Sequence, residues 1–238
     1  MAIGHRGASS YAPENTLASF DLALEMGANQ IELDVHLTAD GKVAVIHDET
    51  VDRTTNGSGP VIDLTLDALR GLDAGRWFGP DHAGQRVPSL DEVLGRYRSR
   101  LDIDIEIKGR TPGLVQQTIG LVRDHEMTAH ATLTSFMTSA LEEAAVLAPE
   151  IRTGWLVSRV TEETLDAVRD MQVSVLCPRA DGVTSELVER LHAMGLLVRA
   201  WWVPDDSLMR RVIDMGVDGI SVNFPDRLVA YLHRCGLL

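Results

Sequence analysis

Two short segments of the chain alternate ionisable with aliphatic residues. In 30–36, Glu32, Asp34 and His36 take every second position, and in 101–108 Asp102, Asp104, Glu106 and Lys108 do the same. Side chains alternate across an extended chain, so Ile31, Leu33 and Val35 form one face, Ile103, Ile105 and Ile107 another, and the acids the opposite faces. If the aliphatic faces pack beneath helices, the acids point into an interior where ionised carboxylates must be paired or bind a cation. Oxygen donors without a Cys or His cluster select a hard ion, Mg²⁺ or Ca²⁺. Interior salt bridges, or a reversed face that leaves the acids in water, would account for the same pattern. Asp102 and Asp104 lie deeper by one or two pleat repeats and read as structural.

The charges favour an ion. Glu32, Asp34 and Glu106 outweigh Arg6 and Lys108 by one negative charge, and two like charges about 4 Å apart repel by about 4 kcal/mol at an effective dielectric of 20. One divalent cation reverses that sign and lets the site hold a phosphate group. Two histidines lie near it in the expected fold: His5, which ends an apolar run and precedes Arg6-Gly7, and His47, which ends the run Val43–Ile46. A pair of imidazoles can trade a proton across a reacting group, one as base and one as acid, for about 10²–10⁴-fold each. His36 is in phase with Glu32 and Asp34 but one pleat further out. His82, His125, His130, His192 and His233 read as surface or packing residues.

The elements that must position these groups recur as strand-like runs with helical stretches between them. The strands expected are Ala2–His5, Gln30–His36, Leu101–Lys108, Ala131–Phe136, Ile151–Ser158, Val173–Pro178, Leu197–Val203 and Gly219–Phe224. Eight such βα units predict an α/β fold, a TIM-type (β/α)8 barrel, with catalysis at the carboxyl ends of its strands. Apolar stripes such as Leu17, Phe20 and Leu24, or Leu208, Val212 and Met215, mark helix faces toward the sheet. Met26-Gly27, Met194-Gly195 and Met215-Gly216 read as helix ends. Ser89 with Glu92 and Ser139 with Glu142 read as capping boxes. Residues 49–88, rich in Gly, Thr and Asp, are expected to form a small insertion after the second βα region, within one domain spanning 1–238. Trp77 and Phe78 are expected to build a small core for it.

Composition removes other classes. The 238 residues carry a net charge of −13 with 45% hydrophobic and 24% charged residues, an ordinary globular balance that argues against nucleic-acid capture and an anionic membrane surface. No apolar run approaches a membrane span and the N-terminus lacks a secretory layout, so a cytoplasmic protein without stable membrane insertion is expected. Cys177 and Cys235 read as buried thiols, and the sequon at Asn56 carries no weight in a cytosol. No GxSxG, P-loop or dinucleotide fingerprint occurs.

An ordered set of blocks resembles the glycerophosphodiester phosphodiesterases: His5-Arg6-Gly7, Pro13-Glu14-Asn15-Thr16, Glu32-Leu33-Asp34-Val35, Asp40-Gly41 with His47-Asp48, Arg53-Thr54-Thr55-Asn56-Gly57, the 87–94 segment, Glu106-Ile107-Lys108, Ser135-Phe136, Trp201 and the 216–220 segment. The resemblance implies metal-dependent hydrolysis of a small-molecule glycerophosphodiester to glycerol 3-phosphate and an alcohol, through a cyclic phosphate. It implies Glu32, Asp34 and Glu106 as ligands of one divalent cation, Mg²⁺ or Ca²⁺, and His5 and His47 as the general acid–base pair, in either order. It further implies Arg6 on the phosphate, Lys108 lining the site and Trp201 on the glycerol side, with Asn15 close by. A lysophospholipase D-like or lipid-cyclising enzyme with the same centre is the alternative, and a non-catalytic phosphate-binding barrel a third. The departures are Trp202-Val203-Pro204 and Val222-Asn223, where the family usually carries Thr-Val-Asn and Thr-Asp or Thr-Asn.

Overall fold

The computed structural model describes residues 1–238. Nine strands follow one another as β1 (Ala2–His5), β2 (Gln30–Leu37), β3 (Val43–Val45), β4 (Asp102–Ile107), β5 (Ala131–Ser135), β6 (Arg152–Val157), β7 (Val175–Pro178), β8 (Leu197–Val203) and β9 (Gly219–Val222). All except β3 pair in parallel, and because β1 bonds both β2 and β9 the eight-stranded sheet closes on itself with helices between its strands. This is the TIM-type (β/α)8 barrel, each strand lying within about three residues of its expected span. The ninth strand was not expected: β3 folds back antiparallel on β2, with Val35 opposite Val45. Three residues are too short for periodicity to reveal.

The barrel separates its two kinds of side chain as the alternation requires. Ile31, Leu33, Val35, Ile103, Ile105 and Ile107 are buried between the strands and the outer helices. The lumen is polar, holding Glu32, Asp34, Asp104, Glu106, Thr134 and Arg199 among its buried groups. Register then builds the site. Glu32 stands beside Asp104 and Asp34 beside Glu106 across β2 and β4, and His5 stands beside Glu32 across β1 and β2. Neighbouring strands lie about 4.8 Å apart, so in-register carboxylates are forced into one another's reach.

Several local expectations hold. Gly27, Gly195 and Gly216 take positive φ just after their helices, and Ser89 and Glu92 cap each other at the helix Leu90–Tyr97. Others are corrected. Ser139 is not a cap: the helix starts at Thr138, its N-terminal residue Met137 makes no side-chain cap, and Ser135 Oγ instead accepts from the Met137 amide. Cys177 is buried as expected, but Cys235 is exposed at the end of the last helix, Pro225–Cys235. In the 49–88 segment, the short helix Leu66–Arg70 and its neighbours pack Val51, Val61, Leu69 and Val87 onto Ala44 and Ile46. Trp77 lies outside that small core, 40% exposed and edge-on to Phe78.

Candidate active site

At the carboxyl end of the barrel, a cavity of about 290 Å³ is lined by His5, Arg6, Glu32, His47, Glu106 and Lys108, with Phe136, Trp201 and Trp202 along another wall. Every site residue expected from the sequence either lines this cavity or, for Asp34, lies directly behind it. Ligand atoms of Glu32, Asp34 and Glu106 all fall within 4.8 Å of one another, and all three residues are buried. Glu32 Oε1 and Asp34 Oδ1 have no hydrogen-bond partner. Buried carboxylate oxygens without donors are costly unless a cation or proton satisfies them.

The electrostatics carry the same strain. Burial pushes Glu106 up to about 7, with repulsion from Asp34 adding to it. Burial followed by repulsion from Asp34 and Glu106 drives Glu32 well above the usual carboxylate range. Burial acts on Asp34 too, but Arg6, His47 and Lys108 and the Asn15 amide outweigh it and hold that group below its ordinary value. Arg6 Nε lies 3.2 Å and Lys108 Nζ 3.9 Å from Asp34, while Lys108 Nζ is 3.0 Å from Glu106. Three oxygen donors of this kind, two of them destabilised as anions, fit a hard divalent ion.

The two histidines are held differently. His5 Nδ1 meets Asn223 Oδ1 at 2.7 Å, and since an amide oxygen only accepts, Nδ1 carries the hydrogen and Nε2 keeps its lone pair. Burial, and then Arg6, pushes His5 down to about 4, so it is neutral near pH 7. His47 Nδ1 meets the Asp48 carboxylate at 2.5 Å. Arg53 donates to Asp48 and also to Glu14, and Glu14 in turn accepts from Arg6. A chain of alternating charges thus ties His47 to Arg6 across 39 residues of sequence between Glu14 and Arg53. His36 is placed by its ring nitrogen at 3.0 Å from the His47 carbonyl, so it supports that loop rather than entering the carboxylate cluster.

Asn15 donates to Asp34 Oδ2 at 2.8 Å from a backbone with φ of 56°, and Arg6 is similarly left-handed at 54°. Such conformations are rare for residues with a Cβ and cluster at functional sites. Gly7 makes the tight turn after Arg6 possible: at φ of 86°, an added Cβ would lie 2.4 Å from Ser19 Oγ. The sequence pattern of the "Glycerophosphoryl diester phosphodiesterase family" matches residues 5–227. The chain belongs to that family.

A glycerophosphodiester phosphodiesterase of Caldanaerobacter subterraneus subsp. tengcongensis is 38% identical over 99% of each chain. Among solved structures, an Oleispira antarctica phosphodiesterase in complex with the product sn-glycerol-3-phosphate superposes with a TM-score of 0.87 at 30% identity, covering 97% of this chain and 96% of that one. A glycerophosphodiester phosphodiesterase from Agrobacterium tumefaciens superposes at 0.84 with 34% identity, covering 96% and 98%. Glycerophosphodiester phosphodiesterases are hydrolases, and this chain is an enzyme of that class. No helix is long and apolar enough to cross a membrane.

The sequence did not single out four residues that shape the site. Asn223 stood only as part of a departure from the family pattern, yet it orients His5. Asp48 and Arg53 stood within matched blocks without a role. Arg199, buried and paired with Asp104 in the lumen, had a legible signal: it is the cation in an otherwise apolar strand, two residues before Trp201. Trp201 donates from Nε1 to the Val157 carbonyl and stands edge-on to Phe136, with centroids 5.1 Å apart.

Proposed function

We propose that the protein hydrolyses glycerophosphodiesters to glycerol 3-phosphate and an alcohol, with one divalent cation, Mg²⁺ or Ca²⁺, held by Glu32, Asp34 and Glu106. The observation that carries this reading is the convergence of three buried carboxylates, two with unpartnered oxygens, beside two differently polarised imidazoles. The ion, when bound, supplies positive charge that neutralises the phosphodiester and polarises its oxygens. Arg6 and Lys108 bind the phosphate, and Trp201 with Phe136 packs on the glycerol.

The asymmetry between the histidines supports separate roles for them. His5, neutral and with Nε2 free, takes the proton of the glycerol hydroxyl adjacent to the phosphate, and that oxygen bonds to phosphorus. His47, whose Nδ1 is held by the Asp48 carboxylate, donates its Nε2 proton to the alcohol oxygen as the phosphorus–oxygen bond to it breaks. The product is a cyclic glycerol phosphate. Water then adds to phosphorus, giving its proton to His47, while His5 returns its proton to the ring oxygen as the ring opens. A neighbouring hydroxyl as nucleophile brings the advantage of an intramolecular reaction.

In this reading residues 1–238 act as a single phosphodiesterase barrel domain in the cytoplasm, and the 49–88 insertion rims the site, contributing Arg53. Turnover of glycerophosphocholine with and without chelator tests it, alongside Glu106→Gln and a substrate lacking the 2-hydroxyl. Loss of choline release in all three arms is expected. Unchanged turnover by Glu106→Gln refutes the ion site, and turnover of the deoxy substrate refutes the cyclic route.

A further inference from the structure

Beside the reaction cavity, the segments after β6 and β7 frame a second cavity of about 420 Å³, lined by Ser158, Arg159, Pro178, Arg179 and Asp181 among others. Both segments follow the carboxyl ends of their strands, so it opens on the same face of the barrel as the site. Trp202 joins the two: it lines the reaction cavity, and the Arg179 guanidinium lies 4.0 Å from the centre of its ring. The Arg179 backbone also bridges to that of Trp201. Trp202 holds this position with φ of 60°, in the stretch where the chain departs from its family's pattern.

The second cavity is cationic in a chain of net charge −13. Asp181 pairs with Arg179 at 2.9 Å, leaving Arg179 Nε buried without a partner. Arg159 is exposed with no acid at ion-pair distance, and the nearby Glu162 is taken by Arg190. Guanidinium forks match carboxylate and phosphate oxygens.

We propose that this cavity is an anion subsite for the leaving alcohol, so that the enzyme prefers glycerophosphodiesters whose alcohol carries a second anionic group, a carboxylate or phosphate held by Arg159 and Arg179. The inference rests on the phosphodiesterase reading above. Two matched substrate pairs test it. Glycerophosphoserine differs from glycerophosphoethanolamine by one carboxylate, and glycerophosphoinositol 4-phosphate from glycerophosphoinositol by one phosphate. For at least one pair, kcat/KM is expected to favour the anionic member about tenfold, the effect of one charge-assisted hydrogen bond. Arg159→Gln should bring that pair to parity through KM while leaving the member without the added anion unchanged. Parity in the unsubstituted enzyme, or equal slowing of both members by Arg159→Gln, overturns the proposal. If none of the four is hydrolysed, the phosphodiesterase reading fails, and calorimetric binding of inositol 1,4-bisphosphate then decides the subsite alone. Binding that Arg159→Gln weakens sustains it; binding that is absent or unaffected removes it.

Discussion

Replacing Arg199 by Leu isolates the ion pair beneath the site. Arg199 is 3% exposed and Asp104 is fully buried, and they meet in the lumen with Asp104 Oδ1 and Arg199 Nε unpartnered. Burial pushes the guanidinium down to about 10 against the attraction of Glu32, so desolvation of this pair is only partly repaid. Removing one member leaves Asp104 as an uncompensated buried charge, which costs about 3–5 kcal/mol, whereas replacing both by apolar residues of similar volume is often neutral. For a chain of this length each kcal/mol moves the midpoint by about 2–4 °C, so Arg199→Leu should lower Tm by about 6–20 °C. The Asp104→Leu/Arg199→Leu double variant should recover most of that. Urea and thermal unfolding of both singles and the double, at pH 7.5 in chelator, give the coupling energy. A loss below about 1 kcal/mol for Arg199→Leu, or a double variant that loses the sum of the singles, refutes the argument.

Other perturbations probe the charge chain. Asp48→Asn should lower kcat by about 10²–10³-fold, because the His47 ring loses the carboxylate that holds its Nδ1 at 2.5 Å, and an unchanged kcat would contradict this. Asn223→Ala should reduce kcat with little change in unfolding midpoint, since it frees the His5 ring to rotate, and an unchanged kcat would show that His5 needs no such support. Burial would raise Glu14, but Arg53 and Arg6 outweigh it and hold the group down to about 2. A depressed carboxylate contributes stability above its unfolded value near 4.5 that is lost as pH falls toward about 2. Glu14→Gln should therefore destabilise the fold at pH 7, with the difference vanishing near pH 2; a difference independent of pH would refute that origin.

The period-two alternation made the barrel and the carboxylate cluster legible together. Once Glu32 and Asp34 share a strand face with Ile31, Leu33 and Val35 on the other, and Asp104 and Glu106 do likewise, burying the aliphatic faces leaves the acids nowhere but the lumen. The Met-Gly helix ends were legible because the left-handed position after a helix selects Gly. What escaped depends on tertiary approach. Asn223 reaches His5 from the opposite end of the chain, and Glu14 meets Arg53 across a loop whose path no local pattern specifies. The Ser139 pattern matched a capping box, but Ser135 already satisfies the amide at that helix entrance. Interior salt bridging, the rival explanation of the acidic rows, holds for Asp104 with Arg199, while the ligand oxygens of Glu32, Asp34 and Glu106 still converge above it.

Calorimetric titration of Mg²⁺ and Ca²⁺ into chelator-treated protein tests the central claim most directly. Because Glu106 lies up at about 7 and Glu32 is raised in the same direction, protons compete with an ion for these carboxylates. The account predicts one ion per chain, proton release seen as a buffer-dependent enthalpy, affinity that falls as pH drops from 8 to 6, and a loss of about a hundredfold or more in Glu106→Gln. No saturable binding, or equal binding by Glu106→Gln, would contradict it.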